Sequence, residues 1–135
     1  MDYFEIHGLK TLNGVIEVSG AKNAVLPLMA ASILNQGKLK ISNVPTLSDS
    51  ITMSKLLKKM GADVNFESDN SISVDSSKLD NPFAPYDLVK TMRASFYVLG
   101  PLLARFGNAK VSLPGGCAWG PRPVNFHLDG LKAVS

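Results

Sequence analysis

This chain contains long apolar stretches, and between them lie short stretches in which apolar and polar residues alternate. Residues 23–34 are apolar at almost every position, which predicts a helix that is buried on every side. Pro27 lies within this stretch and is expected in the first turn, where its missing N–H leaves no hydrogen bond unmade. Residues 38–42 alternate strictly and predict a half-exposed strand.

A second helix is predicted over residues 53–60, where apolar residues recur at the spacing of one helix face. Ser48 and Asp49 precede it and are its candidate N-caps, because their side-chain oxygens can accept hydrogen bonds from first-turn N–H groups. Gly61 is expected to end it.

Four more strands are predicted in the first half of the chain. Two lie at the start, at residues 3–7 and 15–18, and two lie near residues 64–66 and 72–74. The second pair is expected to turn at residues 69–70, an Asp-Asn sequence that favours tight turns.

The second half of the chain follows the same order. A loop is predicted over residues 76–87, then a largely apolar helix over residues 88–106 that Gly100-Pro101 should kink. Residues 109–113 alternate as a strand. From Val124 the pattern predicts a helix that runs to the last residue without a stop signal, so the chain is interpreted as truncated.

Gly37 and Gly107 end the two long apolar helices about 70 residues apart, and the positions after them match in type. We interpret this as one repeated unit of helix, strand, helix, strand and strand, with copies at about residues 20–75 and 88–135, the second incomplete. Because the all-apolar helices must be interior while the strands have one wet face, the prediction is an inside-out α/β fold with helices at the centre and sheets outside.

Composition narrows the possible functions. The chain has 135 residues, 45% of them hydrophobic, with a formal net charge of +3 that is too mild to indicate nucleic-acid binding. A single cysteine cannot form an internal disulfide, and neither a secretory signal nor an apolar run long enough for a membrane span is found. A cytoplasmic protein is therefore expected.

The single cysteine, Cys117, is the first candidate for chemistry. It lies in a loop over residues 115–123 that is rich in glycine and proline, with Arg122 nearby and His127 just beyond. A thiol close to cations and open to solvent can act as an acid or nucleophile. From the loop alone, an idle surface cysteine fits equally well.

Two cations stand at positions that suggest anion binding. Lys22 immediately precedes the first buried helix, where an ammonium and backbone N–H groups can meet one anion. Arg93 lies in an apolar stretch, where an unpaired charge is costly, so it serves either a substrate site or a structural ion pair. For Lys22 the alternative is a solvated surface lysine.

Three segments together carry a resemblance. Gly20-Ala21-Lys22-Asn23-Ala24, Arg93-Ala94-Ser95 and the loop from Pro114 to Val124 resemble the UDP-N-acetylglucosamine enolpyruvyl transferases. The resemblance implies an inside-out α/β barrel built from six repeats in two domains, of which this chain holds about two, in the N-terminal domain. It also implies that residues 1–20 complete the C-terminal domain.

The family transfers the enolpyruvyl group of phosphoenolpyruvate to the 3-hydroxyl of UDP-N-acetylglucosamine and releases phosphate, in the first committed step of peptidoglycan synthesis. By resemblance, Lys22 contacts phosphoenolpyruvate and the intermediate, and Asn23 binds the amino sugar. Arg93 is placed near the nucleotide sugar. Arg122, held between two prolines, helps to bind phosphoenolpyruvate.

The resemblance also assigns the remaining positions. Cys117 corresponds to the reactive cysteine, a general acid or an aid to product release, which the epoxide fosfomycin alkylates. Pro123 and Val124 line the uridine pocket. Asn125, where many relatives are expected to have aspartate, and His127 lie beside it; for His127 a packing or surface role is the alternative.

The resemblance implies no cofactor and no metal, and partners limited to the two substrates and the remainder of the same protein, with neither nucleic acid nor membrane. The family's general base and further arginines would lie beyond Ser135, so this chain alone is expected to be inactive. Trp119 is bulkier than expected, which leaves the loop packing open. The alternatives are a non-catalytic fragment that binds a nucleotide sugar or anion, the related shikimate-pathway transferase, and a structural repeat protein.

Overall fold

The computed structural model describes residues 3–8, 11–113 and 124–133. Its first unit contains helix α1 (Lys22–Ala31), which continues into a 3-10 turn (Ser32–Leu34), followed by strand β1 (Lys38–Ile41) and helix α2 (Ser48–Lys59). Strands β2 (Asp63–Phe66) and β3 (Ile72–Asp75) complete it. The three strands form an antiparallel sheet in the order β1-β3-β2.

The second unit is more irregular. It runs through strand β4 (Phe83–Ala84), helix α3 (Tyr86–Val89) and a 3-10 helix (Arg93–Val98) into helix α4 (Leu99–Phe106). Strand β5 (Lys110–Val111) pairs with β4 in parallel, and helix α5 (Asn125–Ala133) follows. Within the described residues, the order helix, strand, helix thus occurs twice, and the α/β class predicted from the sequence is confirmed.

The core lies between the helices and the inner face of the sheet. Helix α1 packs against α2 and the 3-10 helix 93–98, while α4 packs against the 3-10 turn 32–34. Lys38 and Lys40 of β1 remain exposed on the other side of the sheet. The largest fully buried side chains come from both units: Met29, Ile33, Met53, Leu56, Leu57, Met60, Ile72 and Leu102.

Arg105 joins the two units. Its Nη1 donates to the carbonyl of Ile33 at 2.9 Å, and its Nη2 donates to the carbonyl of Leu79 at 3.3 Å. Ile33 lies in the 3-10 turn that ends α1 and Leu79 lies in the connection after β3, and at both places carbonyl groups need partners from outside their own element. One guanidinium therefore stabilises two chain turns of the first unit.

Helix α1 differs from its prediction in two respects. Leu28 and Leu34 are about half exposed, at 49% and 54%, so the helix is not buried on every side. Pro27 lies in the second turn rather than the first, because the helix already begins at Lys22.

The predicted helix 88–106 is wrong as a single element. Met92 has an extended backbone, with φ of −142° and ψ of 109°, and this separates α3 from the 3-10 helix. Gly100-Pro101 falls in the first turn of α4, where proline is tolerated, so it marks a helix start and not a kink. The 76–87 loop prediction missed β4, which is too short to give an alternating pattern.

Ser48 and Asp49 lie inside the first turn of α2, whose N-cap is Leu47, so neither is a cap. The strands predicted at 3–7 and 15–18 are not formed either, although residues 3–8 and 11–20 are described. An isolated segment gains no ladder hydrogen bonds, and none of the described strands pairs with these residues.

Candidate functional site

The start of α1 is held in place by a close backbone approach. The N–H of Gly20 donates to the side-chain oxygen Oδ1 of Asn43 at 3.0 Å. A Cβ at Gly20 would collide with the backbone carbonyl of Asn43, so only glycine fits here. Asn43 itself has a φ of 53°, which asparagine tolerates better than most residues. This contact fixes the chain two residues before Lys22.

A cavity of about 880 Å³ opens beside this helix start. Its wall comes from the first turns of α1 and α2, the 3-10 helix 93–98, the start of α4 and one side of α5. A cavity of this size falls within the range of small-molecule sites.

The cavity brings together five of the residues singled out from the sequence: Lys22, Asn23, Arg93, Val124 and His127. They come from three segments separated by about seventy and about thirty residues. Asn125, in the first turn of α5, is exposed and does not line the cavity. Cys117, Arg122 and Pro123 lie outside the described residues.

The two cavity cations have different surroundings. Lys22 Nζ lies 3.0 Å from Asp49 Oδ2, with side-chain exposures of 46% and 30%. Arg93 is partly buried, and its Nη1 is shielded from solvent with no hydrogen-bond partner among the described residues. A shielded guanidinium N–H without an acceptor is costly, and a bound carboxylate, phosphate or carbonyl would satisfy it.

Aromatic rings line another part of the wall. Phe96 and His127 have ring centroids 6.1 Å apart, at an interplanar angle of 46°. Tyr97 and Phe126 are also in the lining, with most of their surface exposed. The His127–Phe96 contact joins α5 to the 3-10 helix, which supports a packing role for His127 in addition to its place at the cavity.

Sequence reasoning missed several of these residues. The sequence predicts Asp49 only as a helix cap, and it predicts no site role for the aromatic residues Phe96, Tyr97 and Phe126. A usable signal was present for Asp49, since a carboxylate at the start of the second helix matches a lysine at the start of the first. The aromatic residues gave no comparable signal, because aromatic residues in helical segments are usually core.

Comparisons with known proteins give a consistent result. The sequence profile of EPSP synthase (3-phosphoshikimate 1-carboxyvinyltransferase) matches residues 6–135. Proteins named UDP-N-acetylglucosamine 1-carboxyvinyltransferase from Dichelobacter nodosus and Coxiella burnetii are each 55% identical over 99% of this chain. The one from Cellvibrio japonicus is 53% identical. The chain spans only 31–32% of the length of these relatives.

A solved structure agrees with the fold. The crystal structure of the enolpyruvyl transferase NikO from Streptomyces tendae superimposes with a TM-score of 0.65 and 30% sequence identity. The match covers 77% of this chain and 24% of that one. The described residues therefore adopt part of an α/β fold of the enolpyruvyl transferase type.

Proposed function

This chain belongs to the EPSP synthase family, and we propose that it forms part of an enzyme that transfers the enolpyruvyl group of phosphoenolpyruvate to UDP-N-acetylglucosamine. The reaction releases phosphate and begins peptidoglycan synthesis in the cytoplasm. The relatives that are 55% identical bear the name of this activity, which favours UDP-N-acetylglucosamine over a shikimate substrate.

The observation that carries the proposal is the convergence of Lys22, Asn23 and Arg93 on one cavity. Both substrates are anionic, and Lys22 and Arg93 supply positive charge. Among the described carboxylates, Asp49 pairs with Lys22, and none pairs with Arg93. The family's chemistry needs such cations, because charge on phosphate and carboxylate oxygens must be held in a site that excludes water.

Each site residue has a proposed role. Lys22 binds phosphoenolpyruvate and its addition intermediate, with help from Arg122. Asn23 hydrogen-bonds the amino sugar, and Arg93 contacts the nucleotide sugar. Cys117 donates a proton to the vinyl carbon during addition.

The remaining residues serve the nucleotide. Pro123 and Val124 line the uridine pocket, and Asn125 and His127 lie at its edge. The exposed position of Asn125 outside the cavity wall makes it the weakest member of this group. We also propose that residues 1–20 belong to a second domain and that residues 21–135 form an incomplete inside-out α/β domain.

Calorimetric titration of the chain with UDP-N-acetylglucosamine tests the binding part. We expect saturable binding that Asn23→Ala and Arg93→Ala weaken about tenfold each, the effect of losing one charge-assisted or well-formed hydrogen bond. Lys59→Ala, an exposed change at the end of α2, is the matched control and should leave affinity unchanged. Tighter binding of shikimate 3-phosphate than of the nucleotide sugar would instead favour the shikimate-pathway activity.

A phosphate-release assay with both substrates tests the catalytic part. We expect no turnover by the 135-residue chain, because the proposed general base and further arginines belong to the rest of the protein. Phosphate release by this chain alone would contradict the proposed division of the active site. Binding without turnover is the expected result.

A further inference from the structure

Among the described residues that line the cavity, one carries a carboxylate, and the proposed function does not explain its presence. Asp49 lines the same wall as Lys22 and Arg93, where the substrates are anions. An acidic side chain there repels phosphate and carboxylate groups, so it is unfavourable unless it acts through another residue. Its distance of 3.0 Å from Lys22 Nζ identifies that residue.

The positions of Lys22 and Asp49 at the starts of α1 and α2 explain why the two side chains pair. Lys22 is the first residue of α1, and a cation at a helix N-terminus lies in the unfavourable part of the helix dipole. Asp49 is in the first turn of α2, where the dipole favours a carboxylate. Because α1 and α2 pack together, the favourable charge of one helix start offsets the unfavourable charge of the other.

We infer that Asp49 is a positioning residue: it holds the Lys22 ammonium at the cavity for an anionic group of the substrate. This inference rests on the proposed function. Lysine has a long flexible side chain that loses rotamer freedom when it binds. Asp49 restricts this freedom before the substrate arrives. Together with Arg93, the Lys22–Asp49 pair carries a net positive charge.

A positioning role for Asp49 differs from simple competition between Asp49 and the substrate anion for the Lys22 ammonium. A competing carboxylate occupies the ammonium, and its removal strengthens anion binding. A positioning carboxylate keeps the ammonium in place and shares it, since an ammonium has three donors, and its removal weakens anion binding. The sign of the change in affinity therefore separates the two roles.

A double-mutant cycle on the full chain measures this sign. Phosphoenolpyruvate is titrated in the presence of saturating UDP-N-acetylglucosamine into the wild type, Asp49→Asn, Lys22→Ala and the double variant. We expect Asp49→Asn to weaken binding about two- to fivefold in the wild type, within the range for a partly exposed pair, and to have no effect in Lys22→Ala. Tighter binding in Asp49→Asn, or an equal loss in both backgrounds, overturns the inference.

A second measurement needs no ligand. The ¹⁵N order parameter of the Lys22 ammonium, measured by NMR, reports how firmly the group is held. We expect a lower value in Asp49→Asn and recovery in Asp49→Glu, while Lys55 on the outer side of α2 stays unchanged in both variants. An unchanged order parameter of Lys22 in Asp49→Asn overturns the inference whether or not the chain binds its substrates. Failure of the chain to bind either substrate is a separate result, and it would refute the proposed function.

Discussion

Two of the Asp–Lys ion pairs among the described residues, Asp49–Lys22 and Asp69–Lys40, have different surroundings and therefore different consequences. Asp49 pairs with Lys22 inside the cavity wall, where the pair bears on ligand binding. Asp69 pairs with Lys40 at 2.8 Å on the outer side of the sheet, with both side chains more than half exposed. The outer pair links the β2–β3 turn to β1, so it bears on folding alone.

The Asp69–Lys40 pair predicts that the free energy of unfolding depends on pH in the acidic range. The hydrogen bond from Lys40, followed by one from Ser71, lowers the pKa of Asp69 from 3.8 to about 2. A carboxyl group with a lowered pKa in the folded state stabilises the fold above its ordinary pKa, and this contribution is lost as the pH falls from about 4 to about 2. We therefore expect Asp69→Asn to be less stable than the wild type at pH 6, with the gap closing near pH 2.

Urea unfolding at several pH values measures this gap. Solvent screening keeps it small, and 1 M salt should reduce it further at pH 6, which serves as the control. A gap that does not change with pH would mean that Asp69 acts through packing or turn conformation and not through its charge.

At the scale of elements, the end of helix α2 is held by a defined pair of hydrogen bonds. The N–H of Ala62 donates to the carbonyl of Leu57 and the N–H of Gly61 donates to that of Lys58, each at 3.0 Å, the two bonds of a Schellman motif. Gly61 has a φ of 101°, and a Cβ there would lie 2.9 Å from the carbonyl oxygen of Lys78. We expect Gly61→Ala to lower the free energy of unfolding by at least about 1 kcal/mol.

Gly130→Ala is the matched control for this prediction. Gly130 lies within α5, and a Cβ there would meet nothing within 4 Å. The same change should therefore be neutral or raise stability by up to about 1 kcal/mol, through helix propensity. Chemical denaturation compares the two, and equal effects would show that the left-handed backbone of Gly61 is not what matters.

The elements that the sequence predicted well are those determined by local pattern. Strand β1, the β2–β3 turn with Asn70 at a φ of 55°, and the end of α2 at Gly61 each depend on a few neighbouring residues. The break at Met92 and the parallel pairing of β4 with β5 were not predicted, because packing between distant segments determines them. The site follows the same division. Lys22, Asn23 and Arg93 follow from their motifs. For Asp49 the sequence offers only the match of opposite charges at two helix starts, and the packing of α1 on α2 brings Asp49 to Lys22.

For the whole molecule, the distribution of apolar surface is uneven. The helices and the sheet bury a continuous core that includes residues of both units. Before α1, by contrast, the described residues expose seven large apolar side chains by 81–97%: Tyr3, Phe4, Ile6, Leu12, Val15, Ile16 and Val18. Large apolar side chains exposed to this extent favour association with another surface.

We therefore expect the chain to self-associate as its concentration rises, with sedimentation velocity as the measurement. Burying one such side chain contributes about 1.5–3 kcal/mol, so Phe4→Ser combined with Val15→Ser should weaken association at least tenfold. Glu17→Gln, in the same segment, is the control and should change little. A chain that stays monomeric up to its solubility limit, or a double variant that associates as strongly as the wild type, would contradict this expectation.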